Sequence, residues 1–206
     1  MRDNPLHEET DEGEVRRLIA ENPWVTIVSH TEDGLIASHY PALLEGEDDR
    51  PLAILTHVGR PDDRVHDFGE REVLVIVAGP HGYISPSWYS EQAIEAPTWN
   101  FSVVHCYGVP EILAPEDNKR SLARLVESFE RRVDRPVYLS AATADRFAPG
   151  TVGLRIPITR WVCKVKMSQD KDAESRHQVL AALRQPGPYA NPALADEMER
   201  ALLRRT

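Results

Sequence analysis

The chain has 206 residues, 41% of them hydrophobic and 28% charged, and a formal net charge of −9. That length suits one good-sized core with appendages, and the composition excludes wholesale disorder or a coiled coil. The acidic balance repels a phosphate backbone and so disfavours direct DNA binding, and no apolar run approaches the roughly 20 residues that would cross a bilayer. Cys106 and Cys163 stand far apart, outside any metal-binding spacing. Buried free thiols are therefore expected, and the default location is the cytoplasm.

In chain order, the acidic start through Glu9 reads as a loosely held arm. Asp11 and Glu14 have the spacing of a helix cap, Val15, Leu18 and Ile19 mark one apolar face, and Asn22-Pro23 ends that helix. Trp24 to His30 is rich in β-branched and aromatic residues, Asp33-Gly34 is a strong hairpin signal, and Leu35 to Leu44 carries the chain back. A short strand from Leu52 to Val58 leads into the charged loop Gly59-Arg60-Pro61-Asp62-Asp63 and a short helix through Phe68. Val73 to Val77 reads as a strand buried on both faces, punctuated by Gly79-Pro80. Phe101 to Leu113 alternates again, and Pro115 opens a helix with Leu122, Leu125, Val126 and Phe129 on one face. Val152 to Val165 is a closing strand or strand pair. Two helical segments follow, separated by Gln185-Pro186-Gly187-Pro188, and their amphipathic spacing points to burial without naming what they pack against.

Five or six strands joined mostly by hairpins, with one lateral helix, argue against a doubly wound sheet, because parallel crossovers need a helix between nearly every strand pair. The expected fold is mainly β: a small antiparallel barrel with lateral and C-terminal helices. It forms one domain over residues 1–206, with residues 186–206 as a helical extension.

Chemistry concentrates in two segments. The first, Gly79-Pro80-His81-Gly82-Tyr83-Ile84-Ser85-Pro86-Ser87-Trp88-Tyr89, is dense in aromatics, turn formers and hydroxyls; the second, Ala96-Pro97-Thr98-Trp99-Asn100-Phe101-Ser102-Val103-Val104-His105, puts Trp and Asn at a strand entry. Composition leaves two readings open, a ligand-binding loop or aromatics plugging the end of a barrel. None of the eight histidines shows metal-site spacing, and Ser85 and Ser87 lie outside any nucleophile-elbow motif.

These two segments, in this order and separation, resemble the signature of the PaiB family of FMN-binding proteins. The resemblance extends from about Pro5 to Arg184 and includes Ser38-His39-Tyr40-Pro41, the strand end at Thr56-His57, and Lys164-Val165-Lys166-Met167-Ser168-Gln169-Asp170-Lys171. It implies a split β-barrel of the FMN-binding type, related to pyridoxamine phosphate oxidases. It further implies a homodimer with FMN at the subunit interface, and a negative transcriptional regulator. By the same resemblance the flavin phosphate maps to Thr56, His57 and Arg60, Arg60 being the best single candidate because a guanidinium fork grips two oxygens at once. Tyr83, Ser85, Trp88, Tyr89, Trp99 and Asn100 are the candidate wall and donors for the isoalloxazine ring.

The chain departs from the family pattern at Asp62-Asp63, where two carboxylates beside a phosphate site weaken binding unless they point away; the competing reading of Arg60 is that it pairs with Asp62 or Asp63 instead of a phosphate. It departs again at Asp170, where the family carries a neutral amide. Two other functions remain open. One is a flavin-dependent oxidoreductase acting on a small molecule. The other is a haem-binding split barrel, for which His57, His81 or His105 would be the axial ligand.

Overall fold

The elements, in chain order, are β1 (Glu8–Glu9), α1 (Glu12–Glu21), β2 (Trp24–Thr31), β3 (Gly34–Glu45), β4 (Ala53–Gly59), α2 (Asp62–Val65), β5 (Val73–Ile84), β6 (Thr98–Gly108), β7 (Glu111–Ile112), α3 (Pro115–Glu130), α4 (Ala141–Phe147), β8 (Thr151–Pro157), β9 (Arg160–Lys166), α5 (Ala173–Arg184) and α6 (Pro192–Leu203). They come from a computed structural model that describes residues 4–46, 50–90 and 96–204. The chain divides into two compact units, one of residues 12–77 and 105–161, the other of residues up to 11, 78–104 and from 162 onward. β5 and β6 each run from one unit into the other.

In the first unit the strand order is β5-β2-β3-β4-β8-β7. The Asp33-Gly34 turn sets the β2–β3 register from Thr31↔Gly34 to Trp24↔Pro41, with Gly34 taking the positive φ (112°) that such a turn demands. Strand alternation sends Val25, Ile27, Ile54, Val58, Val75, Leu154 and Ile156 inward, all essentially without solvent exposure. Each contributes about 1.5–3 kcal/mol by burial. Against β8 lies α3, so closely that a Cβ on Gly153 would sit 2.9 Å from Asn118 Oδ1 and 3.0 Å from Leu113 Cδ1. Only glycine admits that approach. The opposite face of the β2–β3 hairpin is left open, with Trp24 64% and Leu35 77% exposed. The His39 ring stacks on Trp24 at 6.4 Å, and His39 Nδ1 meets Thr26 Oγ1 at 2.9 Å.

In the second unit the strand order is β1-β9-β6-β5. α5 and α6 pack with Val179, Leu180, Leu183, Leu194 and Met198 inward, and Arg184 ties the two helices by ion pairs to Asp196 (2.9 Å) and Glu199 (2.7 Å). α5 begins at Asp172, whose side chain accepts from the Ser175 amide at 2.8 Å; α6 begins at Asn191, which accepts from the Leu194 amide at 3.1 Å. Both caps satisfy amides that lack intrahelical partners. Asn191 also donates to the His81 carbonyl at 2.9 Å, so the C-terminal helices brace the β5 segment carrying the first aromatic run.

Several sequence expectations are corrected. Among the described residues there are nine strands rather than five or six. The first arm is not loose: Glu8 pairs with Lys164 and Glu9 with Cys163, adding an edge strand to β9. Gly79-Pro80 does not end its strand, and β5 continues to Ile84. The physical reason is that β2 pairs with β5 only from Val28↔Leu74 to Thr26↔Ile76, so beyond Ile76 a proline on that side interrupts no ladder with β2. The run from Phe101 to Leu113 is two strands, because Val109-Pro110 breaks it. α4 lies in a stretch that carries little periodicity, and its cap, Ser140 Oγ accepting from the Thr143 amide at 3.2 Å, is its clearest local signal.

Candidate functional site

The phosphate candidates lie in the first unit, at and beyond the end of β4. Thr56 is fully buried, and its hydroxyl donates to the Pro41 carbonyl at 2.7 Å, which commits it to the sheet. His57 is half-buried with Nδ1 lacking a hydrogen-bond partner, and burial lowers its pKa below the ordinary 6.5. Arg60 is exposed and pairs through Nη1 with Asp63 Oδ2 at 3.0 Å. The neighbouring carboxylate of Asp62 instead accepts from Tyr40 Oη at 2.7 Å; burial, opposed by a hydrogen bond with Ser38 and reinforced by Asp62, pushes the phenol up to about 12. One of the two extra carboxylates is thus spent on Tyr40 and the other on Arg60. Arg60 also lines a cavity of about 290 Å³ with Asn118, Lys119, Asp145 and Thr151.

Behind this loop, His66 is 2% exposed and both ring nitrogens are used, Nδ1 with Ser29 Oγ and Nε2 with Ser38 Oγ, each at 2.9 Å. Its ring stacks on Phe68 at 4.6 Å, and burial lowers its pKa, offset in part by Asp62. A histidine whose folded pKa lies below 6.5 stays neutral where the unfolded chain takes up a proton. Stability is therefore complete above that value and is lost as pH falls from about 6.5 toward the folded pKa. The urea midpoint is expected to drop between pH 7.5 and 5. His57→Gln, which forfeits no hydrogen bond at Nδ1, should flatten that slope, and an unchanged slope would remove His57 from the account.

The ring candidates lie in the second unit. Tyr83 is the hub of an aromatic cluster, with centroids 6.4 Å from Trp88, 6.4 Å from Trp99 and 5.2 Å from Tyr189; Trp88 and Tyr189 stand 6.2 Å apart. Trp99 is 55% and Tyr189 54% exposed, so the cluster presents ring surface to solvent. Ser85 caps the turn Pro86–Trp88, accepting from the Ser87 amide at 3.3 Å and meeting the Ser87 hydroxyl at 2.8 Å. Tyr89 is buried and lines a cavity of about 240 Å³ together with Thr98, Asn100, Lys166, Ser168 and Lys171. Asn100 is fully buried; Nδ2 donates to Ser168 Oγ at 2.9 Å and contacts Met198 Sδ at 3.3 Å.

The structure thus gathers Tyr83, Trp88 and Trp99 into one cluster, while Tyr89 and Asn100 share the adjoining cavity wall. Thr56, His57 and Arg60 stand in the other unit. Tyr189 was not anticipated: it sits in the proline-rich turn between α5 and α6, where no periodicity marks it. Lys166 belongs to the Lys164–Lys171 motif, where nothing local distinguishes it from the neighbouring lysines. The donor chemistry suits FMN, since a partly exposed aromatic wall can hold the ring and a guanidinium or ammonium can hold a phosphate. His81 Nδ1 bonds the Gly79 carbonyl at 2.9 Å, and among the described residues no three metal-binding side chains gather. No helix among them is long and apolar enough to cross a membrane.

Comparison with known proteins agrees with these features. Residues 1–160 match the family described as "Putative FMN-binding domain". The chain is 31% identical over 195 residues to "Protease synthase and sporulation protein PAI 2" of Bacillus subtilis (strain 168), covering 92% of each. Among solved structures it resembles the flavocytochrome Anf3 from Azotobacter vinelandii (TM-score 0.62, 14% identity, 86% of this chain and 77% of that one). It also resembles the FAD and haem binding protein from Mycobacterium smegmatis (TM-score 0.61, 15% identity, 83% and 78%). At such identities these two report the fold alone, the flavin-binding split barrel. On the family match and the extent of its likeness to PAI 2, this chain belongs to the FMN-binding family of PaiB-type split-barrel proteins.

Proposed function

We propose that this chain is a cytoplasmic, homodimeric flavoprotein that binds FMN at the subunit interface and acts as a negative regulator of transcription. The observation that carries the reading is the four-ring cluster of Tyr83, Trp88, Trp99 and Tyr189, because three of its members come from the two segments that carry the family signature. A net charge of −9 argues that regulation runs through contact with another protein, altered by flavin occupancy, rather than through charge-driven binding to DNA. The open face of β2 and β3 supports the dimer: exposed Trp24 and Leu35 are large apolar groups on a sheet that a second copy would cover.

Two measurements test this. Flavin fluorescence should be quenched on titration with protein, more tightly for FMN than for riboflavin, since only FMN carries the phosphate. Equal affinities would remove Arg60 from the site. Light scattering should give a dimer mass for the wild type and a monomer for Leu35→Glu, and a monomeric wild type would remove the interface.

A further inference from the structure

We propose that the cavity lined by Tyr89, Thr98, Asn100, Lys166, Ser168 and Lys171 is an oxyanion-binding site, taking a phosphate or carboxylate group through the ammonium of Lys166. The inference goes beyond FMN binding at Arg60, and rests on the state of that lysine. Lys166 Nζ donates to the Trp99 carbonyl at 2.9 Å and to Thr98 Oγ1, both neutral acceptors. Among the described residues no carboxylate lies within ion-pair distance of it. The one carboxylate on the cavity wall, Asp170, is held by Lys171 at 2.8 Å. An ammonium drawn partly out of water with no ion-paired carboxylate is costly; Asp170 offsets that cost only in part and Lys171 adds to it, so an anion delivered to Lys166 recovers the remainder.

The rest of the wall is suited to the remaining oxygens. Thr98 and Ser168 offer hydroxyl groups, and Ser168 is held in the left-handed region (φ 58°) by the buried Asn100, whose amide is committed to Ser168 Oγ (2.9 Å) and Met198 Sδ (3.3 Å). A non-glycine residue in that conformation is uncommon and marks a place where the surroundings over-determine the backbone. A cavity of about 240 Å³ is too small for a whole flavin nucleotide and ample for one oxyanion group with a short tail. The segment Thr98-Trp99-Asn100 joins the cavity to the aromatic cluster, because the residue whose carbonyl holds Lys166 also packs its ring on Tyr83. The oxyanion can therefore be either the phosphate of FMN itself or a separate small acid presented beside the flavin.

The test uses inorganic phosphate and the full-length protein without flavin. Calorimetric titration should show saturable binding, weakened at least ~10-fold in Lys166→Met and largely retained in Lys166→Arg. Phosphate should also shift the Lys166 signal in the reductively 13C-methylated wild-type protein, a reading that needs no folded Met variant. Binding should fade on raising the pH before the ordinary lysine value of 10.5 is reached, because burial lowers the Lys166 pKa. If FMN but not riboflavin displaces phosphate, the flavin's own phosphate is the occupant; if FMN and phosphate bind together, the occupant is a separate acid; either supports the site. Absence of saturable phosphate binding, or an unmoved Lys166 signal, would overturn it while leaving FMN binding at Arg60 intact.

Discussion

Replacing Gly108 with alanine is expected to destabilise the protein by about 3 kcal/mol or more, enough to erase a large part of the stability of an ordinary domain. Gly108 ends β6 where the chain meets the end of β8, and a Cβ there would stand 2.0 Å from the Pro157 carbonyl oxygen and 3.2 Å from Ile156 Cγ2. The obstruction is backbone, so no rotamer change relieves it. Nor is either strand free to shift, because the Tyr107 carbonyl accepts from both the amide (2.9 Å) and the hydroxyl (3.2 Å) of Thr159, just beyond Pro157. Urea unfolding should show the midpoint falling with little change in slope. A loss below 1 kcal/mol would mean that the two strands separate more readily than this packing allows.

The second large effect concerns affinity. Arg60→Ala is expected to weaken FMN binding by about 1.5–3 kcal/mol through loss of a charged hydrogen bond to the phosphate. The ion pair with Asp63 supplies a companion test of opposite sign. Asp63→Asn frees the guanidinium and removes a negative charge from the phosphate's approach, so affinity for FMN should rise while affinity for riboflavin stays the same. Were Asp63→Asn instead to weaken FMN, Asp63 would be holding Arg60 in its working orientation. Were neither variant to change affinity, the phosphate would lie elsewhere, and the Lys166 cavity is the alternative cation.

What could be read from the sequence followed distance along the chain. The Asp33-Gly34 hairpin, the α3 face and the Arg60–Asp63 pairing are decided within a few residues, and each could be anticipated from turn chemistry, periodicity or adjacent charge. The β1–β9 pairing joins Glu8 to Lys164, and nothing local to Glu8 announces a strand. The aromatic run was recognised as a ligand wall or a plug, but the fourth ring, Tyr189, arrives from a turn about a hundred residues downstream. Lys166 shows the same limit: its motif was visible, whereas its lack of a carboxylate partner depends on where Thr98, Trp99 and Asp170 fall in space.

The central claim, that this chain holds FMN, is tested most directly by the visible absorption spectrum of the purified protein after addition of excess FMN and passage through a desalting column. Flavin bands that travel with the protein, near one flavin per chain, are the predicted result. A colourless protein after that step would contradict it.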